Sequence, residues 1–229
     1  MCDTNALRAA VDKVRAAVAR IYRGAKVPSS HDYSHAVRVA RLARAICRAV
    51  GVGGREAALA EIASYLHDVA VALGGKEGHA DQSAEEARRI LAEAGLCEAC
   101  VEAVTRAIAE HSWAEGRRPT SIVSAVLQDA DRLDALGVVG FARMVAYGSW
   151  IGRMLHHPAE VLPRGREPDE NAYTVDHAFT KLASLPSAMN FEWSRRVAEA
   201  RLNRLMRLLE ELEREAHARD LDWARGGAP

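Results

Sequence analysis

Two histidines and two aspartates in this chain stand at spacings that suit a bound divalent cation. His67 and Asp68 are adjacent in Tyr65-Leu66-His67-Asp68, at the end of an apolar helical run. His35 lies upstream in His31-Asp32-Tyr33-Ser34-His35, and Asp131 lies downstream in Asp129-Ala130-Asp131-Arg132-Leu133-Asp134. The order H…HD…D draws imidazoles and carboxylates from separate helices, and helix ends are where such side chains can converge on a cleft. Zinc, manganese, iron, cobalt and nickel share these ligands, and magnesium takes the oxygens. A cation so held is a common device for hydrolysing phosphate esters. A lone His-Asp pair would carry little, because a buried histidine is more often a satisfied core residue than a ligand. The weight lies in order, spacing and context.

Helical spacing must position these residues. Leu7, Val11, Val14, Val18 and Ile21 form one stripe, with Thr4 as its expected N-cap. A second helix from near Ser34 carries Val37, Ala40, Ile46 and Val50 and ends at Gly51-Val52-Gly53-Gly54. A third is expected from Arg55 to Val69, with His67 and Asp68 at its end. A fourth uses Ala84, Ala87, Ile90 and Leu91. A fifth uses Val101, Val104 and Ile108 and reaches His111. A sixth opens at Pro119-Thr120 and leads to Asp131. Gly137 and Gly140 interrupt the pattern before a helix through Phe141, Val145 and Ile151. Residues 156–173, with Pro158, Pro163 and Pro168, read as a long loop. A short helix over 176–183 and a long amphipathic one over 191–218 complete an all-α reading, with no alternating strand pattern. The expected organisation is a single domain over residues 1–229. Its core covers about 20–140 and a C-terminal helical extension covers about 141–218.

Bulk composition narrows the classes. At 229 residues the chain can bury one sizeable core. Its 31 basic residues balance 31 acidic ones, which argues against nucleic acid as a bulk partner. Only Lys13, Lys26, Lys76 and Lys181 are lysine, so 27 of the 31 are arginine. No apolar stretch would span a bilayer and no signal-peptide pattern opens the chain, so no membrane association and a cytoplasmic location are expected. Cys97-Glu98-Ala99-Cys100 is a CxxC without a second pair, read as small apolar filler at a helix start.

Several motifs together resemble the HD-domain phosphohydrolase superfamily, whose metal motif is H…HD…D. His31-Asp32-Tyr33-Ser34-His35-Ala36-Val37-Arg38-Val39 resembles the HDxxHxxRV opening of a bacterial, nucleotide-directed subfamily, and Asp129 to Gly137 resembles its DADRLDALG segment. His177-Ala178-Phe179-Thr180-Lys181-Leu182 and Glu199-Ala200-Arg201 are similar to further stretches of that subfamily. The resemblance implies an all-α fold, a divalent metal on His35, His67, Asp68 and Asp131, and hydrolysis of a nucleotide phosphate bond. Release of pyrophosphate from a nucleoside triphosphate leads. Hydrolysis of monophosphates or cyclic nucleotides follows, and a metal- and nucleotide-binding regulator with little turnover is the alternative of another class.

Within that frame Asp68 is the candidate to orient or deprotonate the attacking water. Some family members place a glutamate shortly after the HD pair, where Val69-Ala70-Val71-Ala72 stands here. His79 and His111 fall where some members complete a second metal site; alternatively they meet substrate or cap a helix. Arg38, Lys76, Arg132 and Lys181 are the candidate phosphate-binding cations. Asp134 and His31 are candidates to support a histidine ligand from behind. The long C-terminal helix leaves a homodimer open.

Overall fold

The computed structural model describes residues 4–75 and 78–221. The chain divides into two compact units, Met1–Asp134 with Met189–Arg195, and Ala135–Ala188 with Arg196–Pro229. The all-α class holds. Among the described residues an isolated bridge joins Met154 and Tyr173.

The first unit holds α1 (Thr4–Arg23), α2 (Tyr33–Val50), α3 (Gly54–Leu66), α4 (Val69–Ala72), α5 (His79–Glu93), α6 (Glu98–Ala109) and α7 (Ile122–Asp134). Helix α3 is central and packs against α1, α2, α6 and α7. Its residues Leu59, Ala60, Ile62, Ala63, Ser64, Tyr65 and Leu66 are all buried. A helix that is apolar nearly all round has no wet face to keep and is driven to the middle. Helix α1 is the contrast: Leu7, Val14 and Val18 are buried along one stripe, with Val11 and Ile21 at its margins.

Several boundaries differ from the sequence reading. Helix α3 stops at Leu66 rather than Val69, and the chain turns at His67 and Asp68 before restarting as α4. His67 Nδ1 donates to the Ser64 carbonyl at 2.9 Å, which satisfies an acceptor in the last turn of α3. Helix α6 ends at Ala109, so His111 lies beyond it. Helix α7 runs a further turn past Asp131 to Asp134. It is capped by Ser121, whose Oγ accepts from Ser124 N at 3.1 Å, rather than opening at Pro119-Thr120. Near the other end of this unit, buried Asp129 accepts from Asn190 N at 2.8 Å and Phe191 N at 3.1 Å, immediately before α10 (Glu192–Ala216).

The second unit holds α8 (Gly137–Trp150), α9 (His177–Thr180), a 3₁₀ segment over Leu182–Ala188 and α10 from Arg196 onward. Gly137 and Gly140 begin α8 rather than interrupt the pattern. Gly137 has φ +74°, and a Cβ at Gly140 would stand 2.1 Å from the Ala135 carbonyl oxygen. The loop before α9 is anchored by buried Val161 and Leu162, and by Arg166, which donates to Asp176 at 2.7 Å. Cys97 is the N-cap residue of α6 and Cys100 is buried in its first turn, both as free thiols. No described helix is long and apolar enough to cross a membrane.

Candidate metal centre

Four local devices bring six side chains together in the first unit. Asp32 caps α2 by accepting from His35 N at 3.1 Å, which sets His35 in the first turn. The break after α3 turns His67 and Asp68 inward. Asp131 projects from α7, one turn before its end. His79 opens α5, and His111 follows α6 with its Nδ1 donating to the Ile108 carbonyl at 2.6 Å.

The histidine and aspartate tips converge. His35 Nε2 lies 3.0 Å from His67 Nε2. Asp68 Oδ2 lies 3.4 Å from His35 Nε2 and 3.5 Å from His67 Nε2. Asp131 Oδ1 stands 3.5 Å from His35 Nε2 and 3.8 Å from His67 Nε2. The other oxygen of Asp68, Oδ1, lies 3.5 Å from His111 Nε2 and 3.6 Å from His79 Nε2. Two groupings thus share Asp68: His35, His67 and Asp68, and Asp68, His79 and His111.

The outer ring nitrogens fix the tautomers. His35 Nδ1 faces Asp134 Oδ2 at 2.8 Å, and His67 Nδ1 faces the Ser64 carbonyl. Both partners only accept, so each Nδ1 carries a proton. In neutral rings the inner Nε2 atoms are then bare lone pairs, 3.0 Å apart. Burial pushes His67 down to about 4, outweighing the attraction of Asp68 and helped by His35 and His111, so it stays neutral near pH 7. The two Nε2 atoms stand 3.0 Å from one another and 3.4–3.8 Å from the Asp68 and Asp131 oxygens, a cluster of nitrogen and carboxylate-oxygen donors. The donor set therefore fits a divalent metal.

The remaining groups sort by what they touch. Burial alone would raise Asp68, but His67, His111 and His35 together hold it well below the usual carboxylate range. Burial also opposes protonation of His111, yet Asp68 and Asp131 leave it raised above 6.5. Asp134 braces His35 and also receives Arg38 in a fork, at 2.9 Å from Nε and 3.0 Å from Nη2. Arg38, expected at the phosphate, thus grips Asp134 and, through Nη1, Ser34. Arg132, expected there too, is buried over the Trp113 ring at 5.2 Å and donates to Gln128 at 3.0 Å. The next position along a helix turns away from the face that carries Asp131. His31 stands edge-on to His35 with ring centroids 5.7 Å apart. Lys181 belongs to the second unit, beside His177. Lys76 lies outside the described residues. Helix α4 is Val-Ala-Val-Ala and offers no carboxylate after Asp68. The Ser64 and Ile108 carbonyls leave no sequence signal, being backbone groups.

The HD domain family model matches residues 32–136. The uncharacterized protein YpgQ of Bacillus subtilis is 30% identical over 203 residues, covering 82% of this chain and 85% of YpgQ. The chain belongs to the HD-domain family. The crystal structure of YpgQ in complex with ADP superposes with a TM-score of 0.68 at 26% identity, covering 90% of this chain and 97% of that one. A Lactobacillus plantarum protein gives 0.71 at 25% identity, over 95% and 100% of the two chains. An HD-superfamily hydrolase from Bacillus thuringiensis gives 0.65 at 29%, over 91% and 97%. As a member of this superfamily the protein is a metal-dependent phosphohydrolase.

Proposed function

We propose that this HD-domain protein hydrolyses a phosphoanhydride bond of a nucleoside triphosphate, releasing pyrophosphate, with water as nucleophile. The observation that carries the hydrolytic site is the convergence of His35 Nε2 and His67 Nε2, 3.0 Å apart, beside Asp68 and Asp131. What supports a nucleotide substrate is the ADP bound by YpgQ, together with the balanced charge of this chain.

In this reading His35, His67, Asp68 and Asp131 would hold one cation, and Asp68, His79 and His111 would hold a second. The bound metal would supply a water of lowered pKa and polarise a phosphoryl oxygen. Asp131 and His79, with side chains 26% and 29% accessible, border the side from which substrate enters. The other four, at 5% or less, form the dry floor. Asp68 orients the water, and Lys76 is the cation proposed for the phosphate tail. Arg38 acts through Asp134 instead.

The test is product analysis. Chelator-stripped protein is reloaded with manganese, nickel, cobalt, iron, zinc or magnesium and given nucleoside mono-, di- and triphosphates and cyclic nucleotides. Pyrophosphate from triphosphates is expected, at least about 10³-fold reduced in Asp68→Ala. Inorganic phosphate from monophosphates, or opening of a cyclic diester, would replace the substrate assignment. Metal uptake without turnover would make the protein a nucleotide-binding regulator.

A further inference from the structure

Asp68 has two competing uses for its carboxylate. It is the N-cap residue of α4, and aspartate is among the strongest N-caps, accepting from the N–H of the second or third helical residue. Asp68 makes no such bond. Both its oxygens face histidines, Oδ2 at 3.4 and 3.5 Å and Oδ1 at 3.5 and 3.6 Å. The N–H that an N-cap would receive, that of Ala70, donates instead to Ser83 Oγ at 3.1 Å, across from α5. Ser83 is fully buried. On the other side, the Tyr22 hydroxyl of α1 donates to the Asp68 carbonyl at 3.1 Å, an oxygen that also accepts from Val71 N at 3.0 Å. Tyr22 is buried and lies outside the segment that the HD model matches, 32–136.

We infer that Ser83 and Tyr22 are positioning residues that hold Asp68 turned toward the histidines: Ser83 caps α4 in place of Asp68, and Tyr22 pins the Asp68 peptide. Neither touches the reacting atoms. The inference rests on the proposed reading of Asp68 as a ligand shared by both cation positions. Its physical basis is the cost of a buried donor without a partner, about 1–3 kcal/mol. Removing the Ser83 hydroxyl leaves the Ala70 N–H in that state, and Asp68, at the N-cap of α4, is the residue placed to relieve it with its side chain. Capping α4 would draw that carboxylate away from the histidines. Tyr22→Phe removes one hydroxyl and keeps the ring beside Tyr33, 6.3 Å between centroids.

The experiment is calorimetric titration of Mn²⁺ into the chelator-stripped full chain, as wild type, Ser83→Ala, Ser83→Thr and Tyr22→Phe, each checked for helicity by circular dichroism. Ser83→Ala is expected to bind Mn²⁺ about 10-fold or more weakly, within the range for groups that orient ligands. Ser83→Thr, which keeps the hydroxyl, is expected to stay within about threefold of wild type, and Tyr22→Phe to lose at least about threefold. Wild-type affinity in Ser83→Ala, or equal losses in the Ala and Thr variants, would overturn the capping role. If Ser83→Ala fails to fold, Tyr22→Phe and Ser83→Thr decide: native affinity in the first, or loss in the second, overturns the inference. A wild-type protein that binds none of manganese, nickel, cobalt, iron, zinc or magnesium in the same titration would sink the cation reading itself and the positioning role with it. Normal wild-type binding with unaffected variants would sink only the positioning role.

Discussion

Asp134 accepts from His35 Nδ1 and from both arms of the Arg38 fork, so one buried carboxylate fixes a histidine tautomer and neutralises a guanidinium. Such outer partners typically change metal affinity by about 10–100-fold when removed. Asp134→Ala should fall in that range and Asp134→Asn, which keeps an acceptor but loses the charge, should fall less; Mn²⁺ titration reads both. Protonation of the metal-free protein gives a second residue-level consequence. Burial lowers His67 from 6.5 to about 4 in the folded state, so between those values the unfolded chain binds more protons. Stability should therefore fall with acid across that window, with a slope approaching about 1.4 kcal/mol per pH unit. His111 acts oppositely: its raised value stabilises fully below 6.5 and the contribution is lost as pH rises through its folded pKa. Urea unfolding of chelated wild type and His67→Gln, compared at each pH, isolates the first effect. A difference between the two that stays constant from pH 6.5 to 4 would contradict it.

At the scale of elements, the core faces were legible because apolar residues recur at helical spacing, whereas the places where helices stop were not. His67 and Asp68 sit in an unbroken apolar run, and only the ring-to-carbonyl bond to Ser64 explains why α3 ends before them. Asp129 is a similar case. In sequence it is simply the first carboxylate of an Asp-rich segment. In the structure it receives Asn190 N, Asn190 Nδ2 and Phe191 N at 2.8, 2.9 and 3.1 Å, ahead of α10. Burial raises its pKa while these donors, Ser194 and Arg132 oppose the rise. Asp129→Ala would leave the Asn190 and Phe191 backbone N–H groups, only partly buried, without this acceptor, and a cost of about 1–3 kcal/mol is expected. Urea unfolding at pH 7 measures it. A change below about 0.5 kcal/mol, the size of an ordinary surface substitution, would show that these bonds hold nothing in place.

For the whole molecule, a divalent metal bound at this site would add to the stability of the fold. The ligand types and their order were readable in the chain because the chemistry demands imidazoles and carboxylates. Of the supporting acceptors, Asp134 was readable too, whereas the carbonyls of Ser64 and Ile108 were not, because they depend on where helices end. The result is a polar floor of His35, His67, Asp68 and His111 inside an apolar unit, with the two Nε2 atoms of His35 and His67 held 3.0 Å apart. A ligand that binds only the folded state adds about 2.7 kcal/mol at 100 times its Kd. For a chain of this length each kcal/mol moves the unfolding midpoint by about 2–4 °C. Mn²⁺ at that excess should raise Tm by about 5–11 °C over the chelated protein. Asp68→Ala, which removes the carboxylate shared by both groupings, should abolish the rise. His111→Ala should keep the part that belongs to His35, His67 and Asp131 while lowering the stoichiometry from two cations per chain to one. Differential scanning calorimetry with metal analysis separates these cases. Full stabilisation and a single cation in both wild type and His111→Ala would confine the metal to the first grouping and leave His79 and His111 to substrate.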